Sequence, residues 1–153
     1  MTVRFADAEP NGLADLVGRL IETNLETEPD RRGLLRDTIV LLQASDAAIE
    51  ATVTLSRAGV NVANGPAKGP AKGPAKGPAK GPGGRRPHLV IAADAYDLIE
   101  LAGAPLRFGF PDVMDPQGRS VIRRIATRHV RVSGMLRHPI RLSRFTRLLS
   151  VVP

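Results

Sequence analysis

The stretch PAKGPAKGPAKGPAKGP, from Pro66 to Pro82, limits what the chain can fold into more than any other feature of its sequence. A proline and a glycine recur in every four residues, and together they interrupt both helices and strands. The lysines of the protein all stand in this repeat, as Lys68, Lys72, Lys76 and Lys80. We therefore predict that residues 66–84 are a disordered low-complexity insertion, and that the two flanking segments build the core.

The segment before the repeat predicts one helix followed by three strands. Apolar residues at helical spacing in GLADLVGRLIETNL indicate an amphipathic helix, for which Asn11 is a suitable N-cap. DTIVLLQA is typical of a buried strand, AIEATVTLS alternates as a half-buried strand does, and AGVNVANG predicts a short third strand. Because these segments follow each other closely, they favour an antiparallel meander.

The segment after the repeat predicts a fourth strand at HLVIAAD, followed by a helix at AYDLIELAG that Asp94 can cap. A loop rich in glycine and proline leads to a basic helix at residues 119–127. RHVRVSG then predicts a last strand, and HPIRLSRFTRLLSVV a terminal helix with Pro139 in its first turn. Since the repeat joins the third strand to the fourth, we expect these two strands to pair and a short loop to suffice between them.

Composition excludes several kinds of site. A chain of 153 residues fits one domain, 1–153, and the absence of cysteine excludes disulfides, thiolate metal sites and a cysteine nucleophile. The three histidines, His88, His129 and His138, stand in separate segments without ligand or triad spacing. Asp94 and Asp97 are better placed to serve the first turn of a helix than acid–base chemistry. We therefore predict no enzyme, no cofactor and no metal.

Charge is distributed unevenly along the chain. The net charge is −4 over residues 1–64, +6 over 65–86, −4 over 87–115, and +9 over 116–153, where no acidic residue occurs. Such asymmetry indicates attraction to a polyanion, which is either an anionic membrane surface or nucleic acid. The N-terminus lacks the apolar run of a signal peptide, and no stretch reaches the roughly 20 apolar residues of a membrane span. We therefore expect a cytoplasmic protein.

Two quoted stretches carry a resemblance to a known family. HLVIAADAYDLIELA resembles the strand-then-helix signature of the sterol carrier protein type 2-like (SCP2) lipid-binding domains, and RHVRVSG with the following helix resembles their closing strand and helix. The repeat has no counterpart in that family, and the stretch 107–127 is longer than the family's link. The resemblance implies an α+β fold in which a curved mixed sheet of about five strands, covered by helices, encloses an apolar cavity.

The same resemblance implies the site. Members of the family carry or present lipids, and some bacterial ones are accessory lipid-binding factors for quinone biosynthesis. The predicted lipid-binding residues are apolar side chains of the second half: Leu98, Leu101, Phe108, Phe110, Met135, Leu142, Phe145 and Leu149. Basic residues border the terminal helix and fill the repeat, and those predicted to contact an anionic surface are Arg137, Arg141, Arg144, Arg147, Lys68, Lys72, Lys76 and Lys80.

Our leading hypothesis is a non-catalytic lipid-binding or lipid-carrier protein that holds a sterol, fatty acyl or isoprenoid chain. Its partners would be that lipid, an anionic membrane and a lipid-using enzyme. The alternative is a basic nucleic-acid-binding or scaffold protein, which we favour less because the five aromatic residues do not interleave with the arginines. A third hypothesis is an enzyme subunit that acts in trans.

Overall fold

The computed structural model describes residues 3–66, 86–103, 106–107, 110–112, 114–127 and 129–150. Except for Pro66, the insertion predicted at 66–84 lies outside these residues. The first half contains β1 (Val3–Phe5), α1 (Gly12–Thr27), a 3-10 helix (Pro29–Leu34), β2 (Thr38–Ala44), β3 (Ile49–Ser56) and β4 (Gly59–Asn64). The second half contains β5 (Leu89–Ala93), α2 (Ala95–Gly103), β6 (Leu106–Arg107), β7 (Phe110–Pro111), α3 (Pro116–Ala126), β8 (Arg131–Ser133) and α4 (Pro139–Leu149).

The main sheet has six strands in the order β1-β4-β3-β2-β5-β8. β2, β3 and β4 form the predicted antiparallel meander, β5 lies parallel to β2, and β8 lies antiparallel to β5. This mixed sheet with its helices confirms the predicted α+β class. The sequence patterns missed β1, a three-residue strand that pairs in parallel with β4 at one edge.

One apolar core joins the sheet to the helices. Val40 of β2 lies beside Leu89 of β5, and Leu42 lies beside Ile91, so alternate residues of neighbouring strands point to the same face. These side chains belong to one buried cluster that also contains Ile21 of α1. Asn11 begins α1 as predicted, because its side chain accepts a hydrogen bond of 2.8 Å from the N–H of Ala14. The amphipathic helix is therefore fixed at its start and along its buried face.

The connection from β4 to β5 corrects one expectation. The two strands do not pair, because β3 and β2 lie between them. They run in the same direction, since β3 is antiparallel to both β4 and β2, and β5 is parallel to β2. Parallel strands need a crossover rather than a tight turn. The repeat therefore stands in a crossover connection, and a short loop is not equivalent to it.

The length of this crossover follows from the register. Gly65 donates from its N–H to the carbonyl of Glu50, and His88 donates to the carbonyl of Ile39, so both ends of the connection are held. Three strand spacings and about four residues of strand separate Gly65 from His88, which amounts to roughly 19 Å in a straight line.

Deleting the whole repeat, residues 66–81, is expected to destabilise the fold. Only residues 82–87 then connect the two held ends, with a reach of about 24 Å when fully extended, which barely exceeds their straight-line separation. We expect the melting temperature to fall by several degrees, since each lost kcal/mol lowers it by about 3 °C in a domain of this size. Deleting residues 66–73 alone is the control, because residues 74–87 are still long enough to connect the two ends without tension. Loop length itself has only a small effect on closure entropy. Equal melting temperatures for both variants, measured by circular dichroism, would contradict the crossover argument.

Candidate functional site

Helix α4 presents its apolar face to the core of the domain. Leu142, Phe145 and Leu149 lie on this face and are buried, and the ring of Phe145 has no exposed surface. α4 contacts α1, the 3-10 helix and α2. Leu98 of α2 and Met135, just before α4, are partly buried and pack against the same cluster. Leu142, Phe145, Leu149, Leu98 and Met135 are thus brought together, whereas the side chains of Leu101, Phe108 and Phe110 lie outside the described part of the structure.

The C-terminal end of α4 is held by two side chains from the first half of the chain. Arg31, a buried residue of the 3-10 helix, donates from Nη1 to the carbonyl oxygens of Arg147 and Ser150. Asn24 donates from Nδ2 to the carbonyl of Leu148 at 2.8 Å. A cation placed at the C-terminus of a helix opposes the negative end of the helix dipole. These bonds satisfy carbonyl groups that the helix itself leaves without partners.

Glu28 completes the environment of Arg31. Its carboxylate accepts hydrogen bonds from Arg31 Nε and Nη2, at 2.9 and 2.6 Å. The hydrogen bond from Arg31 lowers the pKa of Glu28 from its ordinary value. The pair therefore contributes to stability at neutral pH, and this contribution is lost as the pH falls through the lowered pKa of Glu28. The buried guanidinium is thus compensated both by a carboxylate and by backbone carbonyl groups.

The N-terminal end of α4 is placed by the turn after β8. Gly134 ends that strand with a φ of 88°, a conformation that side chains other than glycine rarely adopt. His88, at the start of β5, accepts a hydrogen bond at Nδ1 from the N–H of Ile39, and its ring meets the ring of His138 edge to face. His138 directly precedes Pro139, the first residue of α4. Two of the three histidines therefore act in packing at this corner.

Helices α2 and α3 are joined by ion pairs that the sequence patterns did not predict. Arg124 of α3 pairs with the buried carboxylate of Asp97, and its Nη2 lies 3.1 Å from Glu100. The guanidinium also lies over the ring of Tyr96, at 5.6 Å from its centre. The hydrogen bond to Glu100 raises the pKa of Tyr96 above its ordinary value. Asp97 lies in the first turn of α2 as predicted, and its pairing with Arg124 also binds α3. At the start of the same helix, Asp46 accepts a hydrogen bond from the N–H of Ala95.

Apolar side chains are exposed beside arginines at the start of α4. Leu136 is 92 % exposed and Ile140 is 65 % exposed, although both are large aliphatic residues. Arg137 lies between them and is exposed, Arg144 lies one turn further along α4 and is half-buried, and Arg147 is exposed. We call the group Leu136, Arg137, Ile140 and Arg144 the α4 tip. Arg141 differs from these arginines, because its Nη1 atom is buried.

A separate depression of about 600 Å³ lies at the end of the meander where β2 ends and β3 begins. Its lining contains none of the predicted lipid-binding residues, and consists of Asn11, Gln43, Ala44, Ser45, Ala48, Ile49, Glu50, Gly65 and Pro66. Gln43 and Glu50 are joined there by a hydrogen bond of 2.6 Å. Within the described ranges, no three metal-ligating side chains come close enough to hold an ion. In the same ranges, no helix has the length and apolar character needed to cross a membrane.

The elements together make up a known fold. A mixed sheet, an amphipathic first helix packed on its meander, and a closing strand and helix after the last crossover make up an SCP2-like sterol-carrier domain fold. A solved structure described as "UbiJ-SCP2 Ubiquinone synthesis protein" matches this chain with a TM-score of 0.52 at 16% sequence identity. The match covers 90% of this chain and 92% of that chain, which confirms the fold that the sequence resemblance implied. No protein-family model matches this chain, and no curated protein matches it.

Proposed function

We propose that this protein is a non-catalytic lipid carrier that holds a single apolar chain against the inner face of α4. The observation that carries the proposal is the position of α4 in an SCP2-like fold, where Leu142, Phe145 and Leu149 join Leu98 and Met135 in one apolar cluster. Leu101 belongs to α2, Phe108 and Phe110 stand between α2 and α3 in the sequence, and we include all three in the proposed lining. The ligand would be a sterol, a fatty acyl chain or an isoprenoid chain.

Affinity in such a site comes from removing hydrocarbon from water. Each buried CH₂ group contributes about 0.8 kcal/mol, so a long acyl chain gains enough to offset the loss of its own freedom. Binding needs no covalent step, so the bound lipid can leave the protein whenever an apolar phase receives it. These properties suit a protein that exchanges a lipid between a membrane and an enzyme that uses it.

Binding of a fluorescent fatty acid tests the proposal directly. We expect cis-parinaric acid to bind with one site per chain, and unlabelled lipids to displace it. Competition between a sterol, a fatty acid and a polyprenyl alcohol then ranks the ligand classes by affinity. The isoprenoid is included because the structural neighbour is described as a ubiquinone synthesis protein. If the probe does not bind, or binds without saturating, the proposal is wrong.

The partner surface for loading and release is proposed to be an anionic membrane. The exposed side chains of Leu136 and Ile140 offer hydrocarbon to the interface, and Arg137, Arg144 and Arg147 offer charge to lipid headgroups. The carboxylates of Asp97 and Glu100 would repel anionic headgroups, but Arg124 pairs with both and reduces this repulsion. Lys68, Lys72, Lys76 and Lys80 would add to the attraction from the repeat.

Changing Leu136 and Ile140 together to serine is expected to weaken association with anionic vesicles at least tenfold, because about 2 kcal/mol or more of apolar burial is lost. Vesicles of phosphatidylcholine with phosphatidylserine, sedimented with the protein, provide the measurement. Leu16→Ser is the matched control, since Leu16 is also exposed but lies on α1 beside Asp15. Binding should also fall with added salt, because the field of the headgroups decays within a Debye length. An equal loss of vesicle binding in Leu16→Ser would contradict the role of the α4 tip. So would equal binding of the natural protein to neutral and anionic vesicles.

A further inference from the structure

The guanidinium of Arg141 is the feature that the described contacts leave unexplained. Arg141 is a half-buried residue in the first turn of α4, and its Nη1 atom is buried without a hydrogen-bond partner. A buried charged nitrogen without a partner loses its hydration and gains no hydrogen bond in return, which is unfavourable. The sequence prediction grouped Arg141 with the arginines of the outer surface, whereas this burial favours a different role.

Other arginines of this fold show how a desolvated guanidinium is normally satisfied. Arg31 has a carboxylate and two backbone carbonyls as partners. Arg124 has the carboxylates of Asp97 and Glu100. Within the described residues, Arg141 Nη1 has no such partner, so a further hydrogen-bond acceptor would complete its environment.

The position of Arg141 on α4 indicates what that acceptor is attached to. Residues three and four apart lie next to each other on a helix, so Arg141, Phe145 and Leu148 follow one line along α4. Phe145 and Leu148 are fully buried members of the apolar cluster. Arg141 therefore stands at one end of an apolar stripe. An amphiphile whose hydrocarbon followed the stripe would place its polar end next to Arg141.

We propose that Arg141 binds the anionic end of the lipid, a carboxylate or a phosphate group, while the hydrocarbon lies along the stripe that begins at Phe145. This inference rests on the proposed function, and it narrows the ligand from any apolar chain to an anionic amphiphile. A charge-assisted hydrogen bond in a site of low polarity is among the stronger polar contacts available to a protein. The arginine would therefore select ligands by their headgroup and fix their orientation.

The test compares two probes that share one chain. In the intact protein, cis-parinaric acid is expected to bind about tenfold more tightly than its methyl ester, the factor that one charge-assisted hydrogen bond provides. Arg141→Met should remove this preference, with the acid weakened about tenfold and the ester unchanged. Arg57→Met is the control, because Arg57 is an exposed arginine in the turn between β3 and β4 and has no part in the proposed site. It should leave the affinity of both probes unchanged.

Stability gives a second and independent measurement. Arg141→Met replaces a half-buried cation, whose Nη1 atom is buried without a hydrogen-bond partner, by an apolar side chain of similar length. The ligand-free variant should therefore melt at the same temperature as the natural protein or above it. Saturating cis-parinaric acid should then raise the melting temperature of the natural protein more than that of the variant. A large drop in the melting temperature of the ligand-free variant would show that Arg141 has a structural role, and would overturn the inference.

The remaining outcomes separate this inference from the proposed function. Equal affinity of the acid and the ester for the natural protein would overturn the role of Arg141 and leave the lipid carrier intact. Failure of both probes to bind would overturn the carrier itself, and the inference with it. Inorganic phosphate and acetate, added without any chain, should not displace the acid at millimolar concentration. Displacement by either would mean that the site takes a free anion, which also overturns the assignment.

Discussion

Replacing Gly134 by alanine is expected to lower the melting temperature by about 10 °C or more. A Cβ at this position would overlap the backbone carbonyl oxygen of His88, and the φ of 88° is unfavourable for alanine in any surroundings. The overlap involves backbone atoms on both sides, so no side-chain rotation relieves it. Relief requires β8 to move away from β5, and this movement would also displace the start of α4.

The control for this change is Gly33→Ala in the 3-10 helix, where a Cβ would have no neighbouring atom within 4 Å. We expect this variant to melt within about 2 °C of the natural protein, as surface substitutions usually do. Thermal denaturation followed by circular dichroism measures both. A small effect of Gly134→Ala would mean that the β8 turn adjusts freely, and that the position of α4 does not depend on it.

Replacing Phe145 by alanine is expected to destabilise the protein by about 3–5 kcal/mol, the usual cost of removing a buried aromatic ring. The ring has no exposed surface and lies in the cluster that joins α4 to the sheet and to α1. Phe145→Asp should be worse, because the carboxylate would also be buried without a partner. Urea denaturation at equilibrium gives the free energy of unfolding for both variants.

Ile140→Ala is the matched control for Phe145, since it removes a similar apolar group from the exposed side of the same helix. Its effect on the free energy of unfolding should stay within about 0.5 kcal/mol. If Phe145→Ala is as mild as this control, the ring does not support the core. The wall of the proposed lipid site would then have to be sought elsewhere on α4.

Local patterns in the sequence predicted most of the elements for identifiable reasons. Asn11 before an apolar helical repeat marks the start of α1, and the alternation in AIEATVTLS marks β3. Both signals lie within a few neighbouring residues. β1 escaped prediction because a strand of three residues is too short to show a period. The crossover from β4 to β5 escaped it because pairing between distant strands leaves no local trace.

In the candidate site too, features set by neighbouring residues were predicted and contacts between distant residues were not. The apolar face of α4 is readable from the spacing of Leu142, Phe145 and Leu149. The bond from Arg31 to the carbonyl of Ser150 joins residues 119 positions apart, and Arg124 pairs with Asp97 over 27 positions. Arginine on the polar side of a helix looks the same in sequence whether it is solvated or bound to a distant carboxylate. The buried Nη1 of Arg141 is likewise visible only once the helices are packed.

Native mass spectrometry of the freshly purified 153-residue chain tests the central claim most directly. The account predicts a population heavier than the 16.3 kDa protein by the mass of one lipid, released by collisional activation and detected as an anion. A chain that carries no lipid and instead co-purifies with nucleic acid would contradict the account, and would favour a basic nucleic-acid-binding protein in its place.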